Sequence, residues 1–140
     1  MCRPHARIAA SQQHSEIDEA KLDELGEILS AERLEAMLTS YLSHARQQLA
    51  QMDRLATDPN YVALAAIAHD LKGISGTFGA VRVQYLAEQL EHACRSGDVA
   101  DVTRILAEIR AASQAASTAI GARMAHSVPA IARTVASTVV

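Results

Sequence analysis

The 140-residue chain contains no tryptophan and a single phenylalanine, so its core must be built from aliphatic side chains and alanine. Only three prolines and six glycines occur, too few for a turn-dense sheet protein. An alanine-rich chain of this kind favours an all-helical bundle. The length suits one domain with one core. The two cysteines, Cys2 and Cys94, have no metal-ligand spacing and read as reduced thiols. No apolar run approaches the ~20 residues that span a bilayer. The opening residues, MCRPHARIAASQQHS, are polar and lack the apolar centre of a signal peptide. A formal net charge of −3, without a Lys/Arg cluster among aromatics, leaves no footprint for nucleic acid. The expectation is a cytoplasmic protein with no direct membrane contact.

What is present is a stretch around which the rest is arranged, NYVALAAIAHDLKGISGTFG, from Asn60 to Gly79. At about 100° per residue, Leu64, Ile67, Ala68, Leu71, Ile74, Ser75 and Phe78 form one stripe. His69 lies roughly 160° from the centre of that stripe and should face solvent. Its neighbours one turn away are Ala65 and Ala66 on one side, Lys72 and Gly73 on the other. Gly76 falls nearly in line two turns on. Two glycines inside a helix cost roughly 2 kcal/mol relative to alanine. A merely solvated face would carry Glu, Lys or Gln there. Bare backbone beside a protruding imidazole implies a partner that must come close.

The remaining chain divides at its breakers. Residues 1–15, with His5 and His14, read as a flexible leader. A short amphipathic helix over Asp18–Leu29 carries Leu22, Leu25, Ile28 and Leu29 inward. Ser30 can cap a helix of about 26 residues from Ala31 to Ala56 or Thr57. Leu34, Leu38, Tyr41, Ala45, Leu49, Met52 and Leu55 form its core face; His44, Arg46, Gln47, Gln48 and Gln51 form the other. Asp58 can cap the central helix with Pro59 in its first position, and Gly79 can end it. The next helix, Ala80–Ser96, turns Val83, Leu86, Ala87, Leu90, Ala93 and Cys94 inward. Arg82, Glu88, Gln89, Glu91, His92 and Arg95 fall on its outer face. Gly97-Asp98 supplies a stop and a new cap. The last helix runs from Val99 to about Ile120, and residues 125–140 read as a tail, disordered or partly helical. Four long helices joined by loops of two or three residues pack as an antiparallel up-down-up-down bundle, the short first helix covering one end.

His69-Asp70-Leu71-Lys72-Gly73, with Gly79 beyond, resembles the signature of histidine-containing phosphotransfer (HPt) domains of bacterial phosphorelays. The resemblance extends to helix lengths and the Gly97-Asp98 break, from about Asp18 to Arg123, so the domain is expected over residues 16–124. It implies that His69 accepts a phosphoryl group from a receiver-domain aspartate and passes it to a response-regulator aspartate. It implies that Lys72 neutralises the phosphoryl oxygens, that Gly73 gives the partner clearance, and that Nε2 is the outward nitrogen. Ala65, Ala66 and Gly76 join the docking face on geometry alone.

Neutral imidazole is nucleophilic near physiological pH, and phosphoryl transfer needs chiefly in-line positioning and charge neutralisation. The chain has no G-x-x-x-x-G-K-[ST] and no glycine-rich kinase loop, so no autonomous ATP-dependent kinase activity is expected. No cofactor is expected in this chain; Mg²⁺ would belong to the partner receiver domain. The partners implied are receiver domains of a hybrid sensor kinase or of a response regulator, met by a monomer. If the chain is the C-terminal module of a membrane-bound hybrid kinase, it lies on the cytoplasmic side. The competing class is a non-catalytic helical dimerisation or docking module, against which the bare patch counts. A metal-binding bundle would need inward ligands, whereas Glu88 and Glu91-His92 fall on the outer face.

Overall fold

The computed structural model describes residues 17–57 and 60–127, which form five helices. These are α1 Glu19–Ile28, α2 Ala31–Thr57, α3 Tyr61–Thr77, α4 Val81–Ser96 and α5 Val99–Ser127. Side-chain caps fix the starts of α1, α2 and α5. The Asp18 carboxylate accepts from the Ala20 and Lys21 amides, and Ser30 Oγ accepts from the Arg33 amide. Asp98 Oδ1 accepts from Asp101 N at 3.1 Å and opens α5. Each side chain satisfies an amide that the first helical turn leaves without a partner.

The start of α3 differs from the sequence expectation. Asn60, not Asp58, is the cap: its Oδ1 accepts from Ala63 N at 3.1 Å, and Tyr61 is the first helical residue. Asp58 and Pro59 lie outside the described residues. The end of α3 is as expected. Gly79 takes a φ of +76°, and Ala80 N reaches back to Ser75 O at 2.9 Å, which closes the helix. Gly79 also receives α1: Asp18 N donates to Gly79 O at 2.7 Å. A Cβ on residue 79 would sit 3.1 Å from Asp18 O, so both the φ and the approach of α1 favour glycine.

The four long helices form a ring in which α2 touches α3 and α5, and α4 touches α3 and α5. Consecutive members are antiparallel because their connections are short. The core is aliphatic: Leu22, Leu38, Met52, Leu64, Leu71, Leu90, Ile105, Ile109 and Ile120 are fully enclosed. Burying a leucine or isoleucine side chain contributes about 1.5–3 kcal/mol, so this set dominates the stabilisation. Of the aromatics, Tyr41 is buried; its ring lies 5.3 Å from that of Phe78. Tyr41 Oη and Ser75 Oγ, 2.8 Å apart, satisfy one another between α2 and α3. Burial pushes the Tyr41 phenol up from its ordinary value.

Two further expectations are corrected. Gln48 is buried, not on the solvated face of α2, since it follows Ala45 by three residues and precedes Met52 by four. And α5 does not stop near Ile120. It runs through Gly121 to Ser127, with Met124 packed on the core and Arg123 paired with Glu19 and Asp23 of α1. That pairing fastens α1 over the end of the bundle, as its expected place required. Residues 1–16 and 128–140, which hold the expected leader and most of the expected tail, lie outside the described residues. No helix among those described is long and apolar enough to cross a membrane.

Candidate functional site

Adjacent residues on a helix point about 100° apart, so His69 and Asp70 leave α3 in different directions. Asp70 turns to α2, where its Oδ2 accepts from Gln48 Nε2 and lies 3.5 Å from His44 Nε2. His69 leans towards α4. Its side chain is 65% exposed, near the middle of α3, as the stripe geometry required. The helix is held on both flanks, so the rotation that presents His69 is fixed.

Beneath His69 lies a group that the sequence placed wrongly. Glu91 was expected on the outer face of α4, yet its side chain is only 5% exposed. It occupies the seam between α3 and α4 because it follows Ala87 by four residues and precedes Cys94 by three. Both of those are buried, and their spacing is the signal that could have revealed it. Glu91 Oε2 stands 3.1 Å from His69 Nδ1 and 2.6 Å from Arg95 Nη2, while Oε1 stands 3.4 Å from Lys72 Nζ. Burial pushes the Glu91 carboxyl up. The opposing charges of Arg95 and Lys72, with a smaller effect from His69, outweigh it and hold the carboxyl below the usual carboxylate range. Its contribution to stability is therefore present above that range and lost as pH falls through the lowered value.

An ionised carboxylate is an acceptor only, so His69 Nδ1 must carry the proton in this contact. In the neutral ring that assignment leaves Nε2 as the nucleophilic nitrogen, turned away from Glu91. Lys72 is present but engaged. It rests on Glu91 with its side chain 30% exposed, one turn from the imidazole on the same helix.

The bare surface around the ring is real at Gly73 and different at Gly76. A Cβ on residue 73 would meet nothing within 4 Å. A Cβ on residue 76 would come 2.7 Å from Gln84 Nε2, because the Gln84 side chain of α4 lies across that glycine. Gly76 is thus half-buried, with the flexible end of the Gln84 side chain lying over it. Ala66 is exposed, whereas Ala65 is half-buried and packs on the core. Val62, which the sequence reading did not single out, is 85% exposed and continues the stripe one turn beyond Ala66. Together Val62, Ala66, His69 and Gly73 fall within about 60° of one another around α3. Beside them, Tyr61 and Ala65 with Cys94 and Arg95 of α4 help line a groove of about 540 Å³. Burial pushes the Cys94 thiol up from its ordinary value, consistent with a packing role.

A family model described as the Hpt domain matches residues 36–119, more than half of the chain. No curated protein sequence matches it significantly. Among solved structures, histidine-containing phosphotransfer protein B (HptB) from Pseudomonas aeruginosa PAO1 superposes with a TM-score of 0.76 at 18% identity. That alignment covers 81% of this chain and 97% of HptB. MtHPt2, a histidine-containing phosphotransfer protein from Medicago truncatula, gives 0.72 at 19% identity, covering 87% of each chain. A putative histidine-containing phosphotransfer protein from rice gives 0.71 at 19%, covering 86% of this chain and 87% of its own. At such identities the structural likeness establishes the fold.

Proposed function

The chain belongs to the Hpt domain family, and on that premise we propose that it is a phosphorelay intermediate carrying its phosphoryl group on His69. The observation that supports this most is the pairing of an exposed imidazole with a buried carboxylate through Nδ1. In the step proposed, the Nε2 lone pair attacks the phosphorus of a receiver's aspartyl phosphate. The N–P bond forms as the P–O bond breaks, and the electron pair of that bond leaves on the aspartate oxygen. The Nδ1 proton stays in place. The phosphorylated ring then carries positive charge next to the Glu91 carboxylate, and no proton has to move. The reverse step expels a neutral imidazole, a far better leaving group than an imidazolate.

The aspartate and any metal come from the receiver. Phosphoryl transfer of this kind needs positioning and charge neutralisation more than covalent help, which is what His69, Glu91 and Lys72 supply. Val62, Ala66 and Gly73 form the face on which the receiver docks, and the bundle acts as a monomer. Its partners are receiver domains of a hybrid kinase or of a response regulator. Incubation with a phosphorylated receiver domain should place acid-labile, base-stable phosphate on the chain. A chain that stays unlabelled while the receiver keeps its phosphate would refute the reading.

A further inference from the structure

One buried carboxylate here serves three donors, and they hold it unequally. His69 Nδ1 and Arg95 Nη2 share Glu91 Oε2 at 3.1 and 2.6 Å. Lys72 is the longest of the three contacts and reaches the other oxygen, Oε1, at 3.4 Å. Only Lys72 stands on the same helix as His69, one turn on, where a phosphoryl group on Nε2 would draw it. To reach that group it must leave Glu91. A carboxylate 5% exposed is costly to leave without a cation, so the departure needs a substitute.

We propose that Arg95 is a positioning residue for phosphotransfer, holding the Glu91 carboxylate so that Lys72 is free to move onto the phosphoryl oxygens. Arg95 is suited to this by three features. Its guanidinium is a planar fork with five donors, able to cover both oxygens of one carboxylate. It stands four residues after Glu91 on α4, so the pair is held by the helix itself. Its side chain is 66% exposed and can shift from one oxygen to both without repacking the core. Without Arg95, Lys72 becomes the chief cation on a buried carboxylate and is retained there. The phosphoryl dianion, which brings close to two negative charges, then lacks its neutralising partner.

This inference rests on His69 as carrier, so the test is run on protein that a phosphorylated receiver has labelled. After the receiver is removed, phosphohistidine lifetime and back-transfer rate are measured for wild type, Arg95→Gln, Lys72→Ala and the double variant. Arg95→Gln should shorten the lifetime and slow transfer about threefold to tenfold, the scale of one partly exposed charge interaction. In the Lys72→Ala background the same change should have almost no effect, because the residue it frees is gone. Arg95→Lys, which keeps the charge but not the fork, should restore only part of the loss. Equal lifetimes for wild type and Arg95→Gln would overturn the proposal. So would a full Arg95 effect persisting without Lys72, since Arg95 would then act on the receiver or the phosphoryl group directly. Failure of the wild type to accept any phosphate would overturn the carrier reading itself, a different and separately visible result. Thermal melting of each variant completes the set; a Tm loss that tracks the lifetime loss would reduce Arg95 to a structural ion pair.

Discussion

His69→Gln is expected to abolish phosphoryl labelling and to leave the fold almost untouched. The side chain is mostly in water, so its removal uncovers no core surface. The glutamine amide can donate to Glu91 in place of Nδ1–H, and Lys72 and Arg95 stay on the carboxylate. A substitution of this kind changes stability by about 0.5 kcal/mol or less. Transfer, by contrast, loses its nucleophile outright. Labelling is read after exposure to a phosphorylated receiver, and stability from a thermal melt of the same sample. Persistent labelling would move the phosphate to His44 or His92. A collapse in Tm would mean that His69 is a structural residue.

The second large effect lies at Gly73, where stability and function should move in opposite directions. Residue 73 is exposed on α3, and an added Cβ meets nothing within 4 Å. Gly73→Ala should therefore stabilise the isolated domain by up to about 1 kcal/mol, the difference in helix propensity. Gly73→Gln should keep part of that gain. The longer side chain projects into the space beside His69 that a receiver must enter, so phosphotransfer should fall severely. General damage cannot imitate a variant that melts higher and transfers less. Unfolding of Gly73→Gln would show that the glycine serves internal packing. A folded variant that transfers normally would end the clearance argument.

The stripe of α3 was legible because its apolar positions recur at helical spacing around a single small hydroxyl, Ser75, and His69 sits opposite them. The inward face of α4 was legible for the same reason, from Val83 to Cys94. Capping by Ser30 and Asp98 followed from the chemistry of helix starts. The errors arose where a polar residue interrupts an apolar period. Gln48 and Glu91 each sit at three- and four-residue spacing from buried neighbours, but their polarity suggested a solvated face. Polarity misled there because each finds partners, Asp70 across a seam for Gln48, and His69, Lys72 and Arg95 as donors for Glu91. Apart from Arg95, four residues on from Glu91, these partners lie 19 or more residues away in sequence, and no local pattern names them. At Gly76 the sequence could not foresee that the Gln84 side chain of the next helix lies over the bare backbone. At the start of α3 the sequence reading took Asp58 as the cap, whereas Asn60 caps the helix by accepting from Ala63 N.

The central claim concerns one atom. Heteronuclear NMR of ¹⁵N-histidine-labelled protein, phosphorylated by a receiver, reads directly which nitrogen bears the phosphorus. The account predicts a ³¹P–¹⁵N coupling at Nε2 of His69, with Nδ1 still protonated against Glu91. Phosphorus on Nδ1 of His69, or on a nitrogen of any other histidine, would contradict it.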